Sequence, residues 1–263
     1  MSIRLRVLSL GAGVQSTTMA LMAAHGEIGP MPDCAIFADT QDEPAAVYDH
    51  LRWLMSPNVL PFPVHIVTNG KLSQRLLDGD DEARIPFHFG MGGLPNRQCT
   101  RNYKIKPIRR KVRELLGGGS YVAPASVEMW IGISLDEAFR MKPSDVRYVV
   151  SRWPLIERQT TRRECLSWLS DHGYPMPPRS ACVYCPYKND REWRELRDGH
   201  PADWALAVEV DRRIRAPEQV ARLGGEMFAH RSRVPLPEVD LSTLEDHGQL
   251  NFFNNECEGI CGV

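Results

Sequence analysis

The feature that most constrains the fold of this chain is the regular alternation of strand-like and helix-like segments in its first half. Short apolar runs at 4–10, 34–39 and 63–68 predict β-strands, and helical patterns cover 17–24 and 45–55. Parallel strands need long crossover connections, and these are usually helices of right-handed topology. The sequence therefore predicts an α/β fold with a doubly wound, mainly parallel sheet, in which loops after the carboxyl ends of the strands bind ligands.

The second half predicts a longer series of helices. A basic helix over 104–116 ends at three glycines, a strand follows at 127–134, and Thr161 with Glu164 has the spacing of a helix capping box. Two helices are expected between 190 and 215, and the remainder is rich in loops. We expect an α/β domain over residues 1–186 and a helical, cysteine-containing C-terminal extension over residues 187–263.

Composition excludes several classes of protein. The 263 residues are 43% hydrophobic and 25% charged, which is typical of a globular chain rather than a fibrous or disordered one. No run approaches the ~20 apolar residues of a membrane-spanning helix, so we expect a cytoplasmic protein without a membrane partner. Net charge is −1, yet basic residues gather at 97–113 and 140–163. These stretches are either solvated helix faces or surfaces that bind phosphate groups.

The segment between the first strand and the first helix has the composition of an anion-binding loop. It reads SLGAGVQSTT over 9–18. Small residues let backbone amides approach an anion, and the helix N-terminus adds unpaired N–H groups. The segment matches neither G-x-x-x-x-G-K-[ST] nor G-x-G-x-x-G. Its position predicts phosphate binding, and the alternative is a tight turn without a ligand.

Several segments, in order, resemble the phosphoadenosine phosphosulfate (PAPS) reductase-like family of the PP-loop ATP pyrophosphatase superfamily. SLGAGVQS resembles the S-x-S-G-G-x-D-S loop, although Ala12 replaces a glycine and Val14 and Gln15 stand where lysine and aspartate are frequent. Segments 37–44, 99–107 and 132–140 resemble the D-T-G segment, the cysteine-basic-proline motif and the G-x-R-x-x-E-x-x-R motif. Segment 180–186 falls where the family has its C-x-x-C. The resemblance covers about residues 5–186.

This resemblance implies an adenine nucleotide alpha hydrolase-like fold and an enzyme that binds ATP with Mg²⁺, or the sulfonucleotide PAPS or APS. Asp39 would contact the nucleotide or its Mg²⁺ and take part in catalysis, whereas the alternative is a helix-capping role. The implied nucleotide-binding residues are Ser9, Gly11, Ala12, Gly13, Gln15, Ser16, Thr17, Asp39, Arg101, Lys104, Gly132 and Arg140.

The cysteines indicate metal or thiol chemistry. There are seven, and an odd number without an export signal argues against a disulfide framework. Cys182 and Cys185 form a C-x-x-C turn next to a proline, a spacing typical of metal or cluster ligation. Cys34 lies in a predicted core strand and is expected to pack there.

Two sets of further ligands compete. Cys257 and Cys261 would complete a zinc site, whereas Cys99 and Cys165 would complete an iron–sulfur site. The resemblance favours a [4Fe–4S] cluster that uses Cys99 with the C-x-x-C. Cys165 is the expected fourth ligand because its helix approaches the C-x-x-C segment. Its alternative role is that of a small buried apolar side chain.

Cys257 and Cys261 are also the candidate catalytic thiols. Their glycine-containing segment is similar to the Glu-Cys-Gly tail of sulfonucleotide reductases, in which the cysteine is the nucleophile. In a sulfur-transfer reaction the same thiols would carry a persulfide.

Three functions follow. The first is an iron–sulfur ATP pyrophosphatase and sulfurtransferase that adenylates its substrate and receives sulfur from a donor such as a cysteine desulfurase. The candidate substrate is a nucleic-acid component. The second is an oxidoreductase that reduces PAPS or APS to sulfite with a thioredoxin-like reductant. The third is a non-catalytic, zinc-stabilised module that binds nucleic acid.

Overall fold

The computed structural model describes residues 3–80, 83–119, 121–242 and 246. The strands of this part are, in chain order, β1 (Leu5–Leu10), β2 (Cys34–Asp39), β3 (Val64–Thr68), β4 (His88–Phe89), β5 (Val127–Ile131), β6 (Val149–Arg152) and β7 (Met227–Phe228). Five of them form a parallel sheet in the order β3-β2-β1-β5-β6, and β4 pairs antiparallel with β7. The predicted α/β fold with a parallel sheet is confirmed.

Helices connect these strands. They are α1 (Val14–Ala24), α2 (Ala45–Leu54), α3 (Leu72–Leu77), α4 (Lys106–Leu115), α5 (Pro154–Glu157), α6 (Arg162–Asp171), α7 (Asp190–Gly199), α8 (Pro201–Arg213) and α9 (Pro217–Leu223). A wide π-helical turn, Thr100–Ile105, leads into α4. No helix of the described residues is long and apolar enough to span a membrane.

Both faces of the sheet are covered, because successive side chains of a strand point to opposite faces. On β1, Leu8 and Leu10 belong to a core formed with α1, α2, α5 and α6, whereas Val7 packs with Ile108 and Val112 of α4 on the other side. The continuous apolar run of β2 is buried along its first five residues, as expected for a central parallel strand.

A second core lies under the C-terminal helices. Trp193 of α7 and Val210 of α8 pack with residues of the long connection between β3 and β5, including Phe87 and Tyr103, and with Tyr184 within the C-x-x-C. This core therefore contains residues from both sides of position 186. The division into residues 1–186 and 187–263 stays a prediction.

Asp211 stabilises this second core from within. Its side chain is fully buried, accepts hydrogen bonds from the backbone N–H groups of Ala229 and Leu236 at 2.9 Å each, and pairs with Arg215 at 2.7 Å. A buried carboxylate is tolerated when its oxygens are satisfied in this way. Asp211 therefore links α8 to Ala229, directly after β7, and to Leu236 further along the chain.

The predicted elements are mostly confirmed, with differences at their ends. The capping box of Thr161 and Glu164 is present, and α7 and α8 separate at residue 200 as expected. However, α1 begins at Val14 rather than 17, so Gln15 and Ser16 lie in its first turn. The loop-rich interpretation of 216–263 was wrong for 217–223, which form α9, and β6 and α3 were also missed. All three are short, so their periodicity is weak.

Candidate functional site

A cavity of about 890 Å³ lies over the carboxyl ends of the central strands. It opens between β1 and β5. The strand order reverses at this point, because β2 and β3 lie on one side of β1 and β5 and β6 lie on the other. Open α/β sheets bind ligands in the crevice at such a switch point. The volume is within the range of small-molecule sites, roughly 300–1,000 Å³.

The predicted anion-binding loop forms part of the cavity wall. Gly11, Gly13 and Ser16 line it, and the loop is shaped by hydrogen bonds of Ser16 Oγ, which accepts from the Gly11 N–H at 3.1 Å and donates to the Gly13 carbonyl at 3.3 Å. Ala12 adopts a left-handed conformation, with φ of 57°, where glycine is favoured. Alanine therefore holds here a backbone conformation that glycine adopts at a lower cost.

Gly132 fixes the loop from the neighbouring strand. It follows β5, and a Cβ atom placed on it would lie 3.0 Å from Ser16 N and 3.1 Å from Ser16 Cα. These are backbone atoms and cannot turn aside as a flexible side chain can. A residue without a side chain therefore lets β5 approach the first turn of α1 without a shift of that backbone.

A polar network holds the first turn of α1 from the opposite side. Gln15 donates from Nε2 to Glu137 at 3.1 Å, and its Oε1 accepts from Arg162 at 3.1 Å. Glu137 is buried and pairs with Arg140 at 2.7 Å. Because an amide both donates and accepts, Gln15 can bridge a carboxylate and a guanidinium, which aspartate at this position cannot do.

Positive charge dominates the cavity wall. The cationic side chains are Arg101, Lys104, Arg109, Arg140, Lys142, Arg162, Arg179 and Arg191, against four carboxylates, those of Glu137, Asp145, Glu192 and Glu195. Each of these carboxylates has an arginine partner in an ion pair. Among the described residues, neither Arg101 nor Lys142 forms an ion pair, and Arg162 bonds a neutral amide. The surplus of cations suits a ligand with several negative charges.

The remaining wall is apolar. It is lined by Phe37 of β2, by Ile105 and Ile108 at the start of α4, and by Met129 and Ile131 of β5. A flat heterocycle can pack on such a surface while its charged groups meet the cations opposite. The cavity thus combines apolar and cationic lining residues, and a nucleotide needs both.

Buried polar atoms near the cavity lack protein partners. Within the described part of the chain, Thr100 Oγ1, Arg179 Nε and Glu43 Oε2 are buried without a hydrogen bond. Such atoms are costly unless a water molecule or a ligand satisfies them. Thr100 and Arg179 both line the cavity, which is where a ligand would supply the missing partner.

The structure brings most of the predicted nucleotide-binding residues together. Nine of them line the cavity, namely Ser9, Gly11, Gly13, Gln15, Ser16, Arg101, Lys104, Gly132 and Arg140. Ala12 is buried behind the loop, and Thr17 is turned to α2, where its Oγ1 lies 3.0 Å from His50 Nε2. Burial lowers the pKa of His50 to about 4, so this imidazole is neutral at physiological pH.

Asp39 lies at the end of β2, as predicted, but its carboxylate does not line the cavity. Its Oδ1 accepts from the Gln41 backbone N–H at 2.7 Å and from the Tyr48 hydroxyl at 2.8 Å. Burial and the bond to Asp39 raise the pKa of Tyr48. These contacts shape the turn after β2, where Gln41 has a φ of 60°. The predicted contact of Asp39 with a nucleotide or Mg²⁺ stays a prediction.

Three of the predicted metal ligands gather beside the cavity. Cys99 precedes the lining residues Thr100 and Arg101, and Cys182 follows Ser180 closely. Cys99 and Cys182 both pack against the second core, and Cys185 lies in the same turn, with its N–H donating to the Cys182 carbonyl at 2.9 Å. The sulfur of Cys182 is 3.3 Å from Thr40 Oγ1.

Burial, with the Glu43 carboxylate nearby, raises the pKa of the Cys182 thiol. A protonated thiol is a poor nucleophile, whereas a bound metal stabilises the thiolate. The three sulfur donors are partly buried, and their chemistry suits a soft metal centre. Among the described residues, the three sulfur atoms do not form a group with all separations within 4.8 Å, the compact arrangement needed by a single ion.

Cys165 lies in a different core. It is fully buried with α1 and the sheet, and burial raises its pKa to about 12 although Thr18 hydrogen-bonds it. The structure does not bring Cys165 to Cys99 and Cys182, and its surroundings match the alternative of a small buried apolar side chain. Cys34 is buried in β2 as expected. Cys257 and Cys261 lie outside the described residues.

Sequence reasoning missed the side chains that reach the cavity from the C-x-x-C segment and α7. Arg179 donates to the Tyr187 carbonyl at 2.6 Å and pairs with Glu192, and Arg191 lies in the first turn of α7. Asn189 and Glu192 form a second capping box. Their spacing is a signal that could have placed the start of α7, but not its position over the cavity.

Neither a protein-family model nor a curated protein matches the chain. Among solved structures, it is similar to the phosphoadenylyl-sulfate (PAPS) reductase of Candida auris in complex with phosphate, with 12% sequence identity and a TM-score of 0.45 over 67% of this chain and 76% of that chain. The sheet and the cavity themselves define the class of this protein as an open, parallel α/β protein in which the predicted anion-binding loop lies at the switch point.

Proposed function

We propose that this protein is an enzyme that binds an adenine nucleotide, adenylates an acceptor and supports transfer of sulfur to it. The observation that carries the proposal is the cavity at the switch point, which combines an anion-binding loop, a surplus of cations and an apolar wall. Resemblance of the loop to those of PP-loop ATP pyrophosphatases supports adenine as the base and ATP as the nucleotide.

In this proposal the phosphates lie against the loop of Gly11 to Ser16, where the N-terminus of α1 contributes its unpaired N–H groups. The base lies on the apolar wall beside Phe37 and Ile131. Arg101, Lys142 and Arg162 offset the charge of the phosphates. Mg²⁺ would contribute in the same way when bound with ATP.

The reaction has two steps. An acceptor oxygen attacks the α-phosphorus of ATP, a P–O bond to the acceptor forms, and pyrophosphate leaves. A sulfide-level sulfur nucleophile then attacks the activated carbon, so that a C–S bond forms and AMP leaves with the oxygen. Cations that are fixed before the reaction stabilise the negative charge that develops on the phosphate groups.

Cys99, Cys182 and Cys185 are the described residues that would hold an iron–sulfur cluster or, as the alternative, zinc. A [4Fe–4S] cluster with three cysteine ligands would supply an iron position at which sulfide can bind. One of the thiols of Cys257 and Cys261 would receive sulfur as a persulfide from a donor such as a cysteine desulfurase. The other thiol would attack this persulfide, release the outer sulfur at the sulfide level and form a disulfide, which a thioredoxin-like dithiol would reduce. The basic residues of α4 and the cavity rim would position a nucleic-acid acceptor.

A second candidate, reduction of a sulfonucleotide, is favoured by one observation. Gln15 stands where the resembling loops have an acidic residue, and Asp39 Oδ1 accepts from the Gln41 N–H and the Tyr48 hydroxyl outside the cavity wall. The carboxylates that line the described cavity are all paired with arginine. The negative charge of PAPS or APS would be offset by arginine and lysine side chains alone. A tail thiolate would attack the sulfate sulfur, break its bond to the phosphate oxygen and form a thiosulfonate, from which a thioredoxin-like dithiol releases sulfite.

The products distinguish the two candidates. The full chain, purified without oxygen, is incubated with ATP or PAPS, and pyrophosphate, sulfite and equilibrium binding are measured. ATP binding with pyrophosphate release supports the first candidate, whereas sulfite from PAPS supports the second. Absence of binding of either nucleotide at millimolar concentration would refute both.

A matched pair of arginines tests the location of the site. Arg162 lines the cavity and bonds Gln15, whereas its neighbour Arg163 is exposed. Arg162→Ala should weaken nucleotide binding at least tenfold, or about 1.4 kcal/mol. Arg163→Ala should change it less than twofold. Equal effects would place the nucleotide elsewhere.

A further inference from the structure

A second cluster of ligating side chains lies at the other end of the α1 and α6 helix pair. His25 directly follows α1 and His172 directly follows α6, while Glu27 lies two residues beyond His25. One ligand atom from each of these three exposed residues lies within 4.8 Å of the other two. The N-termini of the same helices carry Gln15 and Arg162 to the cavity, so this cluster is remote from it.

Hydrogen bonds orient each imidazole and leave its other nitrogen free to ligate. His172 Nδ1 is 2.8 Å from the Trp168 carbonyl, and because a carbonyl oxygen only accepts, Nδ1 carries the proton and Nε2 has a lone pair. His25 Nε2 is 2.6 Å from the Tyr174 hydroxyl, which leaves Nδ1. Metal-binding histidines are typically oriented by such a bond from the second nitrogen.

Glu27 is held in the same group by two neighbours. Its Oε1 accepts from Trp168 Nε1 at 3.1 Å, and its Oε2 lies 3.4 Å from Arg158, which also donates to the Glu27 backbone carbonyl at 2.8 Å. A carboxylate has further lone pairs and can ligate while it accepts these bonds. Arg158 is the cation that faces the Glu27 carboxylate, and its positive charge repels a second cation at that carboxylate.

Trp168 joins the members of the cluster. Its ring stacks on His172 with a centroid separation of 4.0 Å and meets His25 edge to face at 5.6 Å. Aromatic contacts restrict the rotamers of both histidines and so reduce the entropy lost when a ligand binds. Because of these contacts, the fluorescence of Trp168 should respond to binding of a ligand at the two imidazoles.

We propose that His25, Glu27 and His172 form a site for a divalent transition-metal ion of the zinc and cobalt class. Two imidazoles and one carboxylate suit these ions better than Mg²⁺ or Ca²⁺, which prefer oxygen ligands. Ligand atoms around tetrahedral zinc are about 3.3 Å apart, given bond lengths of about 2.0–2.2 Å. Small rotations of exposed side chains close the remaining gap, and water completes the coordination.

The ion would join the end of α1 to the end of α6. These helices pack against each other, and their opposite ends position the anion-binding loop. Because the three ligands meet only in the folded chain, metal binding would stabilise the fold. This role does not depend on which nucleotide the cavity binds.

Cobalt titration of the full chain tests the proposal. Co²⁺ is added without oxygen or thiol reductants, while tryptophan fluorescence, heat of binding and absorption are recorded. We expect one ion to bind at this site with micromolar affinity, separately from any cobalt taken up by the cysteines, to quench fluorescence and to give no sulfur-to-cobalt charge-transfer absorption. The double variant His25→Gln/His172→Gln should weaken this binding at least tenfold, or about 1.4 kcal/mol.

Two controls locate the ion. His200→Gln replaces an exposed histidine elsewhere and should leave the affinity unchanged. Trp168→Phe should remove most of the quenching while one ion still binds by calorimetry. Equal affinity in the double variant and the original chain, or binding accompanied only by thiolate absorption, would overturn the proposal by assigning the cobalt to other ligands.

Discussion

Replacement of Gly132 by alanine should displace the anion-binding loop. The new Cβ would lie 3.0 Å from Ser16 N, 3.1 Å from Ser16 Cα and 3.3 Å from Gln15 C. Ordinary van der Waals contacts are about 3.5–4.0 Å for carbon atoms, so β5 and the start of α1 must separate by several tenths of an ångström. The atoms that would have to move are the backbone that shapes the phosphate-binding end of α1.

The size of the effect follows from overpacking. An added methyl group that forces backbone movement costs roughly 1–3 kcal/mol. We therefore expect the free energy of unfolding to fall by about 2 kcal/mol. Loss of the loop's alignment should also weaken nucleotide binding at least tenfold, or about 1.4 kcal/mol.

The assay combines denaturant unfolding with equilibrium binding of ATP and PAPS. Gly11→Ala is the control for stability because its Cβ would meet two side-chain oxygens, each at 3.7 Å, which is ordinary contact. Gly199→Ala, with no atom within 4 Å of its Cβ, is the control for binding. If Gly132→Ala is as stable as Gly11→Ala and binds nucleotide like Gly199→Ala, the close approach of β5 to the loop does not constrain the site.

Three further predictions concern buried side chains. Burial lowers the pKa of His50 from 6.5 to about 4, so the unfolded chain binds more protons than the folded chain between these values. The contribution of neutral His50 to the free energy of unfolding, on the order of 3 kcal/mol, is complete above pH 6.5 and declines as pH falls towards 4. In urea titrations at several pH values, His50→Gln should lack this part of the pH dependence, and an unchanged profile would contradict it. Asp211→Asn should lower the free energy of unfolding by about 3 to 5 kcal/mol, because a buried charged acceptor is lost. A decrease in this free energy below about 1 kcal/mol, measured by calorimetry, would be inconsistent with the contacts of Asp211. Cys182→Ser should reduce bound iron or zinc and labile sulfide, whereas Cys165→Ala should leave them unchanged, and metal loss in the latter would return Cys165 to the ligand set.

Elements with strong local patterns could be predicted from the sequence. The buried run of β2 and the capping box at Thr161 depend on neighbouring residues, and both occur where expected. Short elements such as β6 and α9 have too few residues to show a period, so their formation depends on the sheet and the second core that they join. The start of α1 was also not predictable from a local period. It is set by the extended backbone conformation of Gly13, the residue before the helix.

The candidate site shows the same division. The sequence by itself determined that a loop of small residues joins the first strand to the first helix, since its glycines, serines and position are local properties. Only the tertiary structure decided that Arg162 meets Gln15, that Cys165 is enclosed in another core than Cys182, and that His25 faces His172. These contacts join residues that are far apart in the chain, and packing of helices on the sheet brings them together.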